Sequence, residues 1–117
     1  MEKRLTGKTG EILVCRHYLK NGYAILDTNY RCRFGEIDIV AKKEDTIVFI
    51  EVKTREKQTD YTAKDAVTPA KQQRLKSTAL MYISSNKFDD EFVRFDVAEV
   101  YSPSSNPTIN IIENAFE

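Results

Sequence analysis

Tryptophan is absent from this chain, histidine occurs once and cysteine twice in 117 residues. Two thiols and one imidazole (Cys15, Cys32 and His17) cannot supply the four ligands of a structural zinc site. His17 therefore reads as a helix-face residue rather than a ligand or catalytic base. The opening MEKRLTGKTG has charge but none of the apolar core of a signal peptide. Without an export signal, a Cys15–Cys32 disulfide is not expected. Apolar runs such as Ile47 to Ile50 stop far short of the roughly 18 residues that cross a bilayer, so no membrane span is expected. No repeat or low-complexity tract interrupts the chain. With 41% hydrophobic and 31% charged residues, it reads as one soluble, cytoplasmic domain over 1–117.

Net charge is also absent: 18 Lys and Arg balance 18 Asp and Glu. The balance is global, not local. Residues 2–33 and 53–76 are each net basic, whereas 34–52 and 86–117 are net acidic. An acidic centre between basic segments suits a metal-binding site flanked by phosphate contacts, and also ordinary solvated surface charge. One motif can be set aside. TGKTGE (6–11) resembles the end of a phosphate-binding P-loop, but that loop needs a glycine where Glu2 stands and a strand before it.

The periodicity predicts a helix over 9–21, with Ile12, Cys15 and Leu19 on one stripe and Gly22 just past its end. Glu11 lies beside that apolar side, where it can equally complement the helix dipole. Strands are predicted over 23–30, 36–41, 46–54 and 92–101, with a further short strand at INII (109–112). Residues 56–62 and the SPSSNP segment read as loops. Thr68 and Pro69 open a second helix to about Ser85, with Leu75, Ala79 and Tyr82 on one side. The order is α-β-β-β-α-β, which argues for a mixed sheet packed by helices.

The stretch IVFIEVKTR (47–55) places Glu51 and Lys53 inside a strand that begins as core. If the hairpin before it is symmetric about Glu44 and Asp45, Val40 lies opposite Phe49, Asp38 opposite Glu51 and Glu36 opposite Lys53. A two-residue and a four-residue loop give this same register, and the lack of glycine in KKED favours the longer one. Opposed carboxylates repel, so one takes up a proton unless a cation sits between them. Mg²⁺ commonly binds through one or two carboxylates plus water and phosphate oxygens. Lys53 shares the face of Glu51 and can orient or help deprotonate a water. Taken singly, each residue also fits a solvated sheet edge.

At these residues the chain resembles the PD-(D/E)xK nuclease superfamily, through Asp38, twelve intervening residues and then Glu51-Val52-Lys53. More closely it resembles the YraN-type family, related to Holliday-junction resolvases, through TGKTGE, NYRCRFGEIDIV, VFIEVKTR, AVTPAKQQRL and RFDV. Ile37 stands where the superfamily name has proline. The resemblance implies a restriction-endonuclease-like α/β fold with an αβββαβ core. It further implies Asp38 and Glu51 as metal ligands, Lys53 as the catalytic lysine and Glu11, the acid of the first helix, as a further catalytic and metal-site residue if that helix packs against the same face. The expectation is a Mg²⁺- or Mn²⁺-dependent endonuclease acting on branched or single-stranded DNA, with a homodimer suited to paired incisions. Candidate phosphate contacts are Arg31, Arg33, Arg55, Lys71 and Arg74. The rival expectation is a nuclease-fold module that binds nucleic acid or a repair partner without cutting.

Overall fold

A computed structural model describes residues 7–55, 67–101 and 106–116. The expected loop at 56–62 lies outside these residues, as does most of SPSSNP. The described order is α1 (Gly7–Lys20), β1 (Ala24–Cys32), β2 (Gly35–Lys43), β3 (Thr46–Arg55), α2 (Pro69–Ser85), β4 (Phe92–Tyr101) and β5 (Thr108–Phe116). The strands form one sheet in sequence order. Neighbours are antiparallel except β3 and β4, which run parallel across the α2 crossover. Among the described residues, no helix is long and apolar enough to cross a membrane.

The two helices cover opposite faces, and the alternation of β3 shows how. Ile47 and Phe49 pack with Leu75, Ala79 and Tyr82 of α2. Val48 and Ile50 pack with Val14 and Tyr18 of α1. On the α2 face the Tyr82 ring meets Tyr30 and Phe49 edge-on, at 5.0 and 5.9 Å between centroids. Such pairs add about 0.5–1.5 kcal/mol each beyond area burial. α2 begins as expected: Thr68 accepts a hydrogen bond from Lys71 N at 3.2 Å, and Pro69 follows it.

Three expectations need correction. α1 does not bury the Ile12–Cys15–Leu19 stripe: Ile12 is 47% and Leu19 55% exposed, while Val14 and Tyr18 are buried. Apolar residues run around this helix, and Gly10 decides its facing. A Cβ at Gly10 would overlap Thr54 Oγ1, so the bare glycine lets this side of the helix approach β3 closely. The β2–β3 turn is the shorter form, with Lys43 paired to Thr46 and Glu44 at φ 55° without glycine. The last strand is longer than INII. A bulge and a positive φ at Asn114 break its alternation and hide its second half from a period-two reading.

Candidate active site

The hairpin register is the predicted one, with Val40 opposite Phe49 and Ile39 opposite Ile50. There the β2–β3 ladder ends. Beyond it β2 pairs only with β1, and β3 only with β4. The expected pairings Asp38–Glu51 and Glu36–Lys53 fall in this parting, so the ladder does not include them. The Val52 N–H at the parting donates instead to the Asp38 carboxylate, at 2.7 Å. A second irregularity lies on the other side of β2. Asn29 takes a φ of 54° between the pairs Thr28–Ile39 and Tyr30–Ile37. Ile37 consequently packs with the α2 cluster although Ile39 packs with the α1 cluster. Asp38 sits at this switch of faces.

Asp38 and Glu51 converge on one cleft of about 210 Å³ under the start of α2, whose Lys71, Arg74 and Leu75 complete the wall with Gly35 and Glu36. Burial, then the Glu51 charge, pushes the Asp38 carboxyl up to about 7. The Val52 hydrogen bond opposes that rise, and Glu11 and Glu36 add to it. Glu51 is nearly buried and flanked by two lysines, Lys71 at 2.7 Å and Lys53 at 3.4 Å. Their proton affinities move apart. Burial and the neighbouring Lys71 lower the Lys53 ammonium against the pull of Glu51. Lys71 is lowered by burial, but its hydrogen bonds to Glu51 and Lys53 outweigh that and leave it raised. One carboxylate serves two ammonium groups, so Lys53 Nζ is the one disposed to give up its proton.

Other predicted residues are placed as follows. α1 covers the face opposite α2, and Glu11 accepts a hydrogen bond from Asn29 at 3.2 Å in a separate hollow. Only its charge is felt at Asp38. Lys71 and Arg74 line the cleft, Lys71 as the nearest cation to Glu51. Arg31 pairs with Glu36 at 3.3 Å, and Arg33 lies over the Phe34 ring, both in the adjoining β1–β2 hairpin. Arg55 is in register with Tyr101 and away from the cleft lining. Sequence reasoning missed two contributors: Asn29, whose only signal is an asparagine within a strand, and the Val52 amide, which has none. Cys15 and Cys32 are free thiols.

The donor set can be tested against a divalent ion. Two hard oxygen ligands share a cleft, and burial and the Glu51 charge raise the proton affinity of Asp38, a penalty that a cation between the two acids would relieve. Both features fit Mg²⁺ or Mn²⁺. Among the described residues, no third acidic, histidine or cysteine side chain joins them in a metal-sized group.

A five-stranded mixed sheet between two helices, parting at a pair of acids, has the architecture of the restriction-endonuclease-like α/β core. The chain belongs to the uncharacterised protein family UPF0102, the YraN-type family, whose model matches residues 10–100. A UPF0102 protein of Alkaliphilus oremlandii is 49% identical over 119 residues, covering 99% of this chain and all of that one. Another, from Syntrophus aciditrophicus, is 44% identical over 112 residues, covering 96% of this chain and 88% of its own length. A third, from Caldicellulosiruptor saccharolyticus, is 43% identical over 118 residues, covering 99% of this chain and all of the relative.

Proposed function

We propose that this protein is a divalent-metal-dependent endonuclease that hydrolyses DNA phosphodiesters, with preference for branched or junction DNA in repair or recombination. The observation that carries the reading is Asp38 and Glu51 sharing one cleft where their strands part, with Lys53 on the strand face of Glu51. Asp38 and Glu51 would hold the ion, which supplies charge neutralisation at phosphate and a more acidic bound water. Lys53 Nζ, depressed in proton affinity, orients the attacking water and can accept its proton. Lys71 and Arg74 hold the phosphate from the α2 wall. Among the described residues α1 and α2 both pack on the sheet, so backbone and shape recognition fit better than sequence recognition. Paired incision of a four-way junction would call for a two-fold dimer.

One observation favours a second reading, a module that binds without cutting: Lys71 already contacts Glu51 at 2.7 Å, where a metal would compete with it. The test uses branched, single-stranded and duplex DNA with Mg²⁺, Mn²⁺ or EDTA, beside Asp38→Ala. The nuclease cuts only with metal, and Asp38→Ala lowers the rate by about a thousandfold or more, in the range seen when transition-state charge stabilisation is lost. Tight binding with no cutting in either metal sinks the nuclease and supports the module.

A further inference from the structure

The β1–β2 hairpin ends beside the cleft, and its tip exposes an aromatic ring. Phe34 is 38% exposed, and the Arg33 guanidinium lies 4.8 Å from its centroid. Gly35, next in sequence, lines the cleft with Asp38 and Glu51. It has a φ of +153°, and a Cβ there would come within 3.2 Å of Thr78 Oγ1 and 3.9 Å of Arg74 Cβ. The tip is therefore pressed onto α2, the helix that brings Lys71 and Arg74 to the site, and Phe34 is held at a set place relative to the acids. The other strongly exposed phenylalanine, Phe92, is in register with Thr46 at the opposite end of β3.

An aromatic ring with a guanidinium on it, one residue from a phosphate-binding cleft, suits nucleobase stacking, because every base has a π-face and aromatic side chains bind it without regard to sequence. A paired, stacked base cannot offer that face. We propose that Phe34 is a stacking platform for an unpaired nucleobase adjoining the cleft, which makes DNA with unpaired bases next to the bound phosphate the substrate class of this site. Arg33 holds the ring from one side and the base occupies the other. This rests on the reading of the cleft as a nucleic-acid phosphate site.

The chain has no tryptophan, so Phe34→Trp supplies a lone indole as reporter. Fluorescence is titrated in EDTA with an oligothymidylate of about 12 nucleotides, the usual scale of one single-strand site, and with an abasic strand of equal length and as fully paired duplex. The oligothymidylate should quench the indole; the abasic strand and duplex should not. Measured by anisotropy, Phe34→Ala should weaken oligothymidylate binding about tenfold and leave abasic binding unchanged. Equal quenching by base-bearing and abasic strands, unchanged affinity in Phe34→Ala, or no binding of the oligothymidylate overturns the proposal. Metal-dependent cutting by the unsubstituted protein is scored separately. Cutting without base-dependent quenching removes only the platform, and base-dependent quenching without cutting removes only the nuclease.

Discussion

Two acids sit on the two faces of this sheet, and their surroundings are opposites. Asp96, on the α1 side, is 1% exposed and receives four hydrogen bonds: from Tyr18 OH at 2.7 Å, from Arg94 Nε and Nη2 at 2.9 and 3.0 Å, and from the Asn114 amide at 3.0 Å. Arg94 is in turn tied to Tyr23 OH at 2.9 Å. Asp38, on the α2 side, receives among the described residues a hydrogen bond from Val52 and feels three acids, Glu51, Glu11 and Glu36, with Lys71 as a cation across the cleft. A buried charge with every partner present stabilises a fold. A buried charge set among like charges is a cost to the fold, and such sites mark chemistry or ligand binding. The family motif contains both kinds, in GEID and RFDV, and only the partners tell them apart.

The sharpest way to break this contrast is to remove each acid in turn. Asp96→Ala leaves the Arg94 guanidinium and the Tyr18 hydroxyl without their acceptor. Loss of one partner of a buried pair costs about 3–5 kcal/mol, and Arg94 is partly open to water, so the lower end is expected. Denaturant unfolding should show a midpoint far below that of the unsubstituted protein. Full stability in Asp96→Ala would remove the structural role assigned to this network.

At Asp38 the expected sign is reversed. Its native carboxyl titrates near 7, against an ordinary value of 3.8, so between those pH values the folded state holds a proton that the unfolded chain has released. Metal-free stability attributable to this group therefore falls as pH rises from about 4 through 7, by on the order of 3 kcal/mol once water in the cleft is allowed for. Asp38→Asn keeps an acceptor for Val52 N–H and loses the charge, so it should flatten this slope and match or exceed the unsubstituted protein at pH 8 in EDTA. Mg²⁺ or Mn²⁺ should restore stability at pH 8, by about 2.7 kcal/mol at a hundredfold excess over Kd, and should do so less at pH 5. Parallel pH slopes for the two proteins would show that Asp38 is not strained by its neighbours.

Much of the fold is legible in the sequence. The β2–β3 register as far as Ile39–Ile50 follows from a symmetric hairpin, and strand alternation puts Lys53 on the face of Glu51; the direct Asp38–Glu51 pair expected from the same hairpin falls where the ladder has already ended. Thr68-Pro69 announced α2 through capping chemistry. What was hidden depends on tertiary contact. The facing of α1 was set by Gly10 against Thr54, a steric fact with no periodic signature. Glu11 is implied as a site residue only if α1 packs on the cleft side; α1 covers the other face, where Glu11 meets Asn29 while its charge still reaches Asp38. The left-handed Asn29 and the parting after Ile39–Ile50, which admit Asp38 to Val52 N–H, leave no mark in hydrophobic pattern.

Lys71 is where the comparison can be sharpened most finely, because it supplies to Glu51 what Arg94 supplies to Asp96: a close cation, here at 2.7 Å from a side chain one-third exposed. If that pair were structural, Lys71→Met would behave like a mild Asp96→Ala. A partly exposed ion pair is worth only about 0–1 kcal/mol, however, so stability should change little. The expected change is in ligand affinity. With Lys71 gone, Glu51 loses its nearest competitor for a divalent ion, and Mn²⁺ affinity by calorimetry should rise a few-fold, as expected when a coupling of about 1 kcal/mol is released. Lys53 should gain proton affinity, because Lys71 is one of the groups that lowers it. In a cutting assay that would move the alkaline-rising limb of the pH profile upward. An unchanged Mn²⁺ affinity would mean that Lys71 leaves Glu51 as readily as water does, and that the cleft is open to an ion without displacement of any side chain.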